Sequence, residues 1–480
     1  MTSWRKRLLA PVLATTLLLT LPLLIPAHAQ PTAATSESTV ALPLVVRFSD
    51  PNNFELTSAT YLGGSGSDST SGVAIASDGS IVVAGTFPGF TPGGAPPTFT
   101  IGSGGDGAIV RFDASGQQVQ SITRMGANVT DLELTGSDLI VACGSFGIVQ
   151  LVADGSTAAW SANPGSVDRC ATGSDGLSAA LVDQTVTSYT SAGSQVGQWS
   201  VSGTATDIAV DSANNLVIVS GWVQITAQLQ MPFIRAYSMD GNLQWKSYDF
   251  PAGTSNIGTA DTRAERLAIG LDGKLYVGFS INGGTGVSVL ARDPKNTSQS
   301  AASKTVVTDK YTNPFNIGSV SMAWFGRFDP ASGNLELGQS LLTRLTSNDR
   351  GNSISIDAIS ADADGRVVIA GDTACCIAER NTRKVAGSTV GNYESGEAYI
   401  LSVSADFKTR RVWTVFAATG ISAGGSPASG VATRAGVVAL SATLNPKSGT
   451  TRGLITYQAL QPALGSSAAS DGYMVVAPLP

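Results

Sequence analysis

The stretch Gly72–Phe87, GVAIASDGSIVVAGTF, decides the fold. An apolar run reaches Ala76, Ser77-Asp78-Gly79 carries a turn signature, and Ile81-Val82-Val83 opens a second run rich in β-branched residues. Two short apolar runs around an Asp-Gly turn read as a β-hairpin. The unit recurs at Val129–Phe146, Val167–Asp183, Thr206–Gly221, Ala264–Phe279, Ile356–Gly371 and Gly430–Ala442, which makes seven copies. A second hairpin follows most of them: Ala108–Ser121, Gly147–Trp160, Thr185–Trp199, Phe233–Trp245, Ala323–Leu337 and Ala398–Trp413.

Two hairpins make a four-stranded antiparallel unit that cannot bury both of its faces alone. Repeated units of this kind predict an all-β chain folded as a β-propeller, with seven four-stranded blades or, as the alternative, eight. Trp160, Trp199, Trp245 and Trp413 share one phase of the repeat and are expected to fill the gaps between neighbouring blades. Leu42–Gly64 resembles the second hairpin of a unit, with Val45-Val46-Arg47-Phe48 echoing Ile109-Val110-Arg111-Phe112. The chain thus begins mid-blade, and Gly430–Ala442 can complete that blade. Gly453–Leu460 and Asp471–Leu479 look like further strands that compete for the closing position or add to an eighth blade.

Residues 1–29 read as a secretory signal. Arg5, Lys6 and Arg7 precede an apolar stretch, and Ala27-His28-Ala29 is a small-x-small cleavage site. Residues 30–41 read as a short linker, and 42–480 as a single propeller domain. No Cys follows the apolar stretch to take a lipid, and no later segment is long and apolar enough to span a membrane as a helix. The expectation is a secreted, periplasmic or cell-surface protein. After cleavage 26 Lys and Arg face 35 Asp and Glu, a net charge of −9. Such an acidic chain without basic clusters argues against nucleic-acid partners.

His28 is the only histidine, so the processed chain has none. That removes Ser-His-Asp and Cys-His catalysis and His-ligated metals. Cys143, Cys170, Cys375 and Cys376 are candidate disulfide partners in an oxidising compartment, with three connectivities open. A Cys143–Cys170 bridge across adjacent blades would leave Cys375-Cys376 as a vicinal pair. Asp362-Ala363-Asp364-Gly365 resembles a short calcium loop but sits where other copies carry a turn, so it reads as a turn. No catalytic residue, cofactor site or metal site is assigned.

Thr60–Phe87 (TYLGGSGSDSTSGVAIASDGSIVVAGTF), continued by Asp106–Phe112 (DGAIVRF), resembles the bacterial SBBP repeat, the seven-bladed β-propeller repeat family. The Thr-Tyr-Leu-Gly-Gly start does not recur in later units. The resemblance implies an exported or cell-surface bacterial propeller and carries no catalytic residues. Ala264–Phe279 is also weakly similar to repeats of quinoprotein propellers.

The long insertions, Pro88–Asp106, Ile281–Met322 and Ala374–Glu397, follow second strands and so open on one face. Phe90, Phe99, Tyr311, Phe315 and Tyr393 are the candidate binding-face residues. Asp293, Asp309, Asp372, Glu379, Glu394 and Glu397 are the carboxylates near those loops. The expected function is non-catalytic binding or scaffolding, with surface polysaccharide or protein as partner. The alternative is a carboxylate-based glycosidase or lyase, or a quinoprotein.

Overall fold

The computed structural model describes residues 50, 52–250, 260–282, 289–315, 320–447 and 451–479. The expected signal, the linker and the Val45–Phe48 echo lie outside them. Among the described residues there are no α-helices, and no helix is long and apolar enough to cross a membrane. The chain is all-β and propeller-like. It forms six four-stranded antiparallel sheets and one sheet of five strands, with two smaller sheets beside them.

The first six of these sheets follow the chain in order. Their innermost strands are Ser69–Ile75, Val129–Leu134, Arg169–Thr172, Thr204–Asp211, Asp261–Ile269 and Ala358–Ala361. Each packs against the next, and Ala428–Arg434 of the seventh sheet packs back against Ser69–Ile75. Second and third strands are buried along most of their length, because each sheet is covered on both faces.

The closing sheet differs from both expected arrangements. Its order is Ala428–Arg434, Val437–Leu444, Asp471–Pro478, Ser58–Leu62. The C-terminal segment supplies the third strand, and only one N-terminal strand joins, paired from Leu62↔Gly472 to Ser58↔Val476. Asp471–Pro478 suits the inner place because it is apolar on both faces and buried up to its last residue. Gly453–Leu460 is not a ladder strand. It covers the outer edge of the closing sheet, with isolated bridges Ala59↔Tyr457 and Ala417↔Leu454.

Three of the four tryptophans of the repeat phase meet the next sheet as expected, whereas Trp413 packs edge-on against Tyr311 of the 283–320 connection. The ring of Trp160 lies under Gly193 of the next sheet's outer turn, Trp199 under Gly241, and Trp245 under Gly333. All three glycines have positive φ, and a Cβ on any of them would enter the indole at 2.4–2.8 Å. The turn glycine therefore serves both the local backbone and the contact between sheets.

Cys143, at the second strand of the second sheet, is bonded to Cys170 on the innermost strand of the third. Their Cα atoms are 6.1 Å apart and both residues are buried. The bridge closes a 27-residue separation, which corresponds to about 3.5 kcal/mol of chain-entropy stabilisation. The double variant Cys143→Ala/Cys170→Ala is expected to lose about 2–4 kcal/mol in urea melts. Unchanged stability, or four titratable thiols in the denatured unreduced protein, would reject the bridge.

Candidate functional site

Five of the innermost strands carry a β-bulge near their start, at Thr70/Gly72, Val129/Asp131, Ala205/Asp207, Ala264/Arg266 and Ala428/Gly430. A bulge at a sheet edge re-aims the side chain beside it. Stacking the repeats brings Arg169 to the same place in the third sheet and Ala358 in the sixth, with Asp357 one residue earlier, where Ser71, Thr130, Thr206, Glu265 and Ser429 stand in other copies. Read around the axis, that place is Gly72, Asp131, Arg169, Asp207, Arg266, Ala358 and Gly430, and Asp357 lines the axis from the neighbouring position. Acid and base alternate over four sheets, and two glycines sit where the last sheet meets the first. There the backbones crowd: a Cβ on Gly430 would lie 2.8 Å from the nitrogen of Val73.

All seven innermost strands line one axial cavity of about 260 Å³. A second cavity of about 390 Å³ lies over its mouth, among Ser71, Thr130, Arg169, Arg266, Asp357, Asp372 and Pro427–Ser429. This mouth opens at the starts of the innermost strands, the face where second strands end. The long connections 87–106, 283–320, 374–396 and 445–470 all leave second strands. The axial mouth and the long loops therefore share a face, and the 445–470 connection adds a fourth loop to the three expected.

Two acids of the belt are tied to the backbone. Asp207 accepts the Ile208 N–H at 3.0 Å and the Leu267 N–H of the next sheet at 2.9 Å. Asp131 does the same with Leu132 (2.9 Å) and Cys170 (3.3 Å). These bonds staple neighbouring sheets. Burial nonetheless pushes Asp131 up to about 6, against the pull of Arg169 4.0 Å away. Glu133, deeper in the channel, accepts the Thr172 N–H at 2.7 Å and is held well above its ordinary range by burial.

The bases are held differently. Arg266 donates from Nε to the Asp357 carbonyl (2.6 Å) and from Nη1 to the Glu265 carbonyl (2.8 Å). Burial lowers its pKa, and the neighbouring Arg169 lowers it further. Arg169 makes no side-chain hydrogen bond to any described residue, and its one ion pair is the 4.0 Å contact with Asp131. Burial works against its charge, but Asp131 and further acids more than offset this.

Asp357 and Asp372 meet at Ser355. The serine hydroxyl lies 3.1 Å from Asp357 Oδ2 and in short contact with Asp372 Oδ1. No cation comes within salt-bridge distance of either carboxylate among the described residues. Burial, then the adjacent Asp372, pushes Asp357 up to about 6. A glycosidase needs two carboxyl groups straddling a bond, roughly 5–9.5 Å apart. Here a protein hydroxyl already sits between them.

No protein-family model and no curated protein matches the chain. Among solved structures it is similar to a chain of "Crystal Structure of Mitotic Checkpoint Complex", at 8% identity and a TM-score of 0.45, covering 88% of this chain and 94% of that one.

The other expected carboxylates do not gather at the mouth. Asp309 pairs with Arg410, Glu379 with Arg383, Glu394 with Lys447, and Asp293 shapes its own turn through the Lys295 N–H. Glu397 is buried under the 374–396 insertion, 2.8 Å from Arg380, and burial pushes it up to about 7. Asp362 closes a turn by accepting the Asp364 and Arg366 N–H groups, so the calcium-like motif is a turn.

The aromatic candidates are dispersed. Phe90 is buried against Phe87. Phe99 lies on Thr98–Ile101, which pairs in parallel with Val119–Met125 and covers the outer edge of the first sheet. Tyr311 packs edge-on against Trp413, and Phe315 lies under Arg344. Tyr393 alone is strongly exposed, at 41%. Cys375 and Cys376 are bonded to each other at the start of the sixth sheet's insertion. That insertion also pairs Lys384–Val385 with Asn53–Phe54, anchoring the N-terminal strand.

Proposed function

We propose that the chain is an exported, non-catalytic binding or scaffold protein, a closed propeller of seven blades related to the SBBP-repeat family. Its loop-bearing face would contact surface polysaccharide or protein outside the cytoplasm. The observation that carries this reading is that four long connections surround one polar axial mouth. Rigid sheets presenting long loops around a concavity are a common binding architecture. The seven repeat copies and the cyclic packing of innermost strands support the blade count, and the apolar N-terminal stretch supports export.

The test is biolayer interferometry of residues 30–480 against bacterial surface polysaccharides and envelope proteins. Tyr393→Ala, on the loop-bearing face, should weaken binding at least about tenfold, the loss of about 1.4 kcal/mol. Leu271→Ala, in a turn on the opposite face, should leave it unchanged. No bound partner, or the reverse pattern between the two variants, would overturn the reading.

The second reading is a carboxylate-based glycosidase or lyase, and the Asp357–Asp372 pair at the mouth is the observation in its favour. It requires that reducing ends or unsaturated products appear from a polysaccharide, and that Asp372→Asn abolish them. Ser355 between the two carboxylates favours the binding reading.

A further inference from the structure

The axial mouth holds unmatched groups of both signs. On one side Arg169 offers a guanidinium with no hydrogen bond to any described residue. On the other, Asp357 and Asp372 share one hydroxyl and have no cation within salt-bridge distance. Both sets line the same cavity of about 390 Å³. The Ser71 hydroxyl faces it too, and its oxygen is buried without a partner. Arg169, Asp357 and Asp372 are half-buried, so water still reaches them, and a ligand that replaces that water with charge-assisted hydrogen bonds gains affinity.

We infer that this mouth binds a compact zwitterion, a free α-amino acid in chemical class, with its carboxylate on Arg169 and its ammonium on Asp357 and Asp372. The inference rests on the reading that the loop-bearing face binds ligands, and it names what the mouth itself takes.

The presence of both signs around one mouth argues for the class. A simple anion would be met by Arg169 but repelled by Asp357, Asp372, Asp131 and Glu265. A simple cation would meet the aspartates but face Arg169 and Arg266. A metal ion does not fit, since no group of three or more acidic, Cys or His side chains among the described residues is close enough to share one. A molecule carrying both charges a few ångströms apart answers both sides at once. Guanidinium donors favour carboxylate geometrically as well as electrostatically.

Positioning follows from bonds already made. Arg266 grips the Asp357 carbonyl at 2.6 Å, and Ser355 holds the two acids together. On the far side, the glycines at 72 and 430 project no side chain, Ser71 presents its hydroxyl, and the Ser429 hydroxyl is already bonded to those of Thr70 and Ser441. The amino acid's own side chain would point outward, toward the loops.

Isothermal titration of residues 30–480 tests this with L-serine and L-alanine, using ethylamine, propionate and glucose as single-feature controls. Both amino acids should bind, and ethylamine and propionate should bind at least about tenfold more weakly. Arg169→Gln should remove the preference for L-alanine over ethylamine, and Asp372→Asn the preference for L-alanine over propionate. Ser71→Ala, which removes a hydroxyl that makes no hydrogen bond in the fold, should weaken both amino acids a few-fold. Control ligands that bind as well as the amino acids, glucose binding in their place, or no binding at all would overturn the inference. If no amino acid binds while polysaccharide or protein still binds the loop-bearing face, the inference fails and the broader reading stands. Amino-acid binding with no macromolecular partner has the opposite meaning.

Discussion

Tyr473→Ala is expected to cost about 3–5 kcal/mol, among the largest effects of any single substitution in the chain. Tyr473 lies on Asp471–Pro478, the strand between the C-terminal hairpin and the N-terminal strand of the closing sheet. It is fully buried. Its ring meets Tyr61 at 5.6 Å and Phe416 at 6.0 Å, and its hydroxyl donates to the Ile455 carbonyl at 2.5 Å. Tyr61 in turn accepts the Leu454 N–H at 2.6 Å. One side chain thus joins the N-terminal strand, the sixth sheet and the covering segment 453–460. Tyr473→Phe keeps the ring and strands the Ile455 carbonyl, so about 1–3 kcal/mol should go with the hydroxyl. Urea melts give the magnitudes, and hydrogen exchange gives the location. Exchange should rise first at Ser58–Leu62, because that strand has a full ladder among the described strands with Asp471–Pro478 alone, and its outer side meets only the isolated bonds of the covering segment. A uniform rise across all sheets would mean that Tyr473 is ordinary core and not the clasp.

The hairpins were legible because their signal is local. Asp-Gly turns between β-branched runs need no tertiary context, and Gly72–Phe87 forms the expected pair, Ser69–Ile75 with Ile81–Thr86. The closure was not legible, because it depends on which of several apolar runs reaches one vacancy. Leu42–Gly64, Gly453–Leu460 and Asp471–Leu479 all look like strands, and only packing on both faces distinguishes the last. Thr98–Ile101 shows the same limit: its pairing to an outer edge is set by where the loop returns, which no period reveals. The axial belt was legible in principle. Asp131, Arg169, Asp207 and Arg266 stand at one register of the repeat, and stacking the copies exposes the alternation. Of the carboxylates near the insertions only Asp372 reaches the mouth, and it stands at the end of the second strand Val367–Thr373 rather than in a loop. The reason is physical. A bulge turns an ordinary strand position toward the axis, so the polar site lies on the scaffold and the loops only surround it.

The protein is expected to melt at a higher temperature at pH 5.5 than at pH 8, and Asp68→Asn should remove part of that difference. Asp68 sits between Ser58–Leu62 and Ser69–Ile75, where the closing sheet hands over to the first. It is fully buried. One oxygen accepts the Gly64 N–H at 2.8 Å, and the other has no hydrogen-bond partner. Asp471, also buried, accepts the Gly465 N–H at 3.1 Å and likewise keeps one oxygen without a partner. Burial, with Asp471 adding to it, pushes Asp68 up to about 7, and burial raises Asp471 too. Glu397 is pushed up to about 7, and Asp131 and Asp357 to about 6, again chiefly by burial. The sign follows from linkage. An unfolded carboxyl titrates near 4, so between pH 4 and 7 the folded chain holds protons that the unfolded chain has released. The stability these groups contribute is complete below about pH 4 and is lost as pH rises through about 6–7. Asparagine at position 68 cannot ionise, so it carries no charge into the fold and none to oppose Asp471. Asp68→Asn should therefore raise stability by about 1–3 kcal/mol at pH 8 and change it little at pH 5. Melts at constant ionic strength decide the matter. A melting temperature that is flat from pH 5.5 to pH 8, or a variant less stable than the parent at pH 8, would show that these carboxylates are not carried into the fold as a burden of charge.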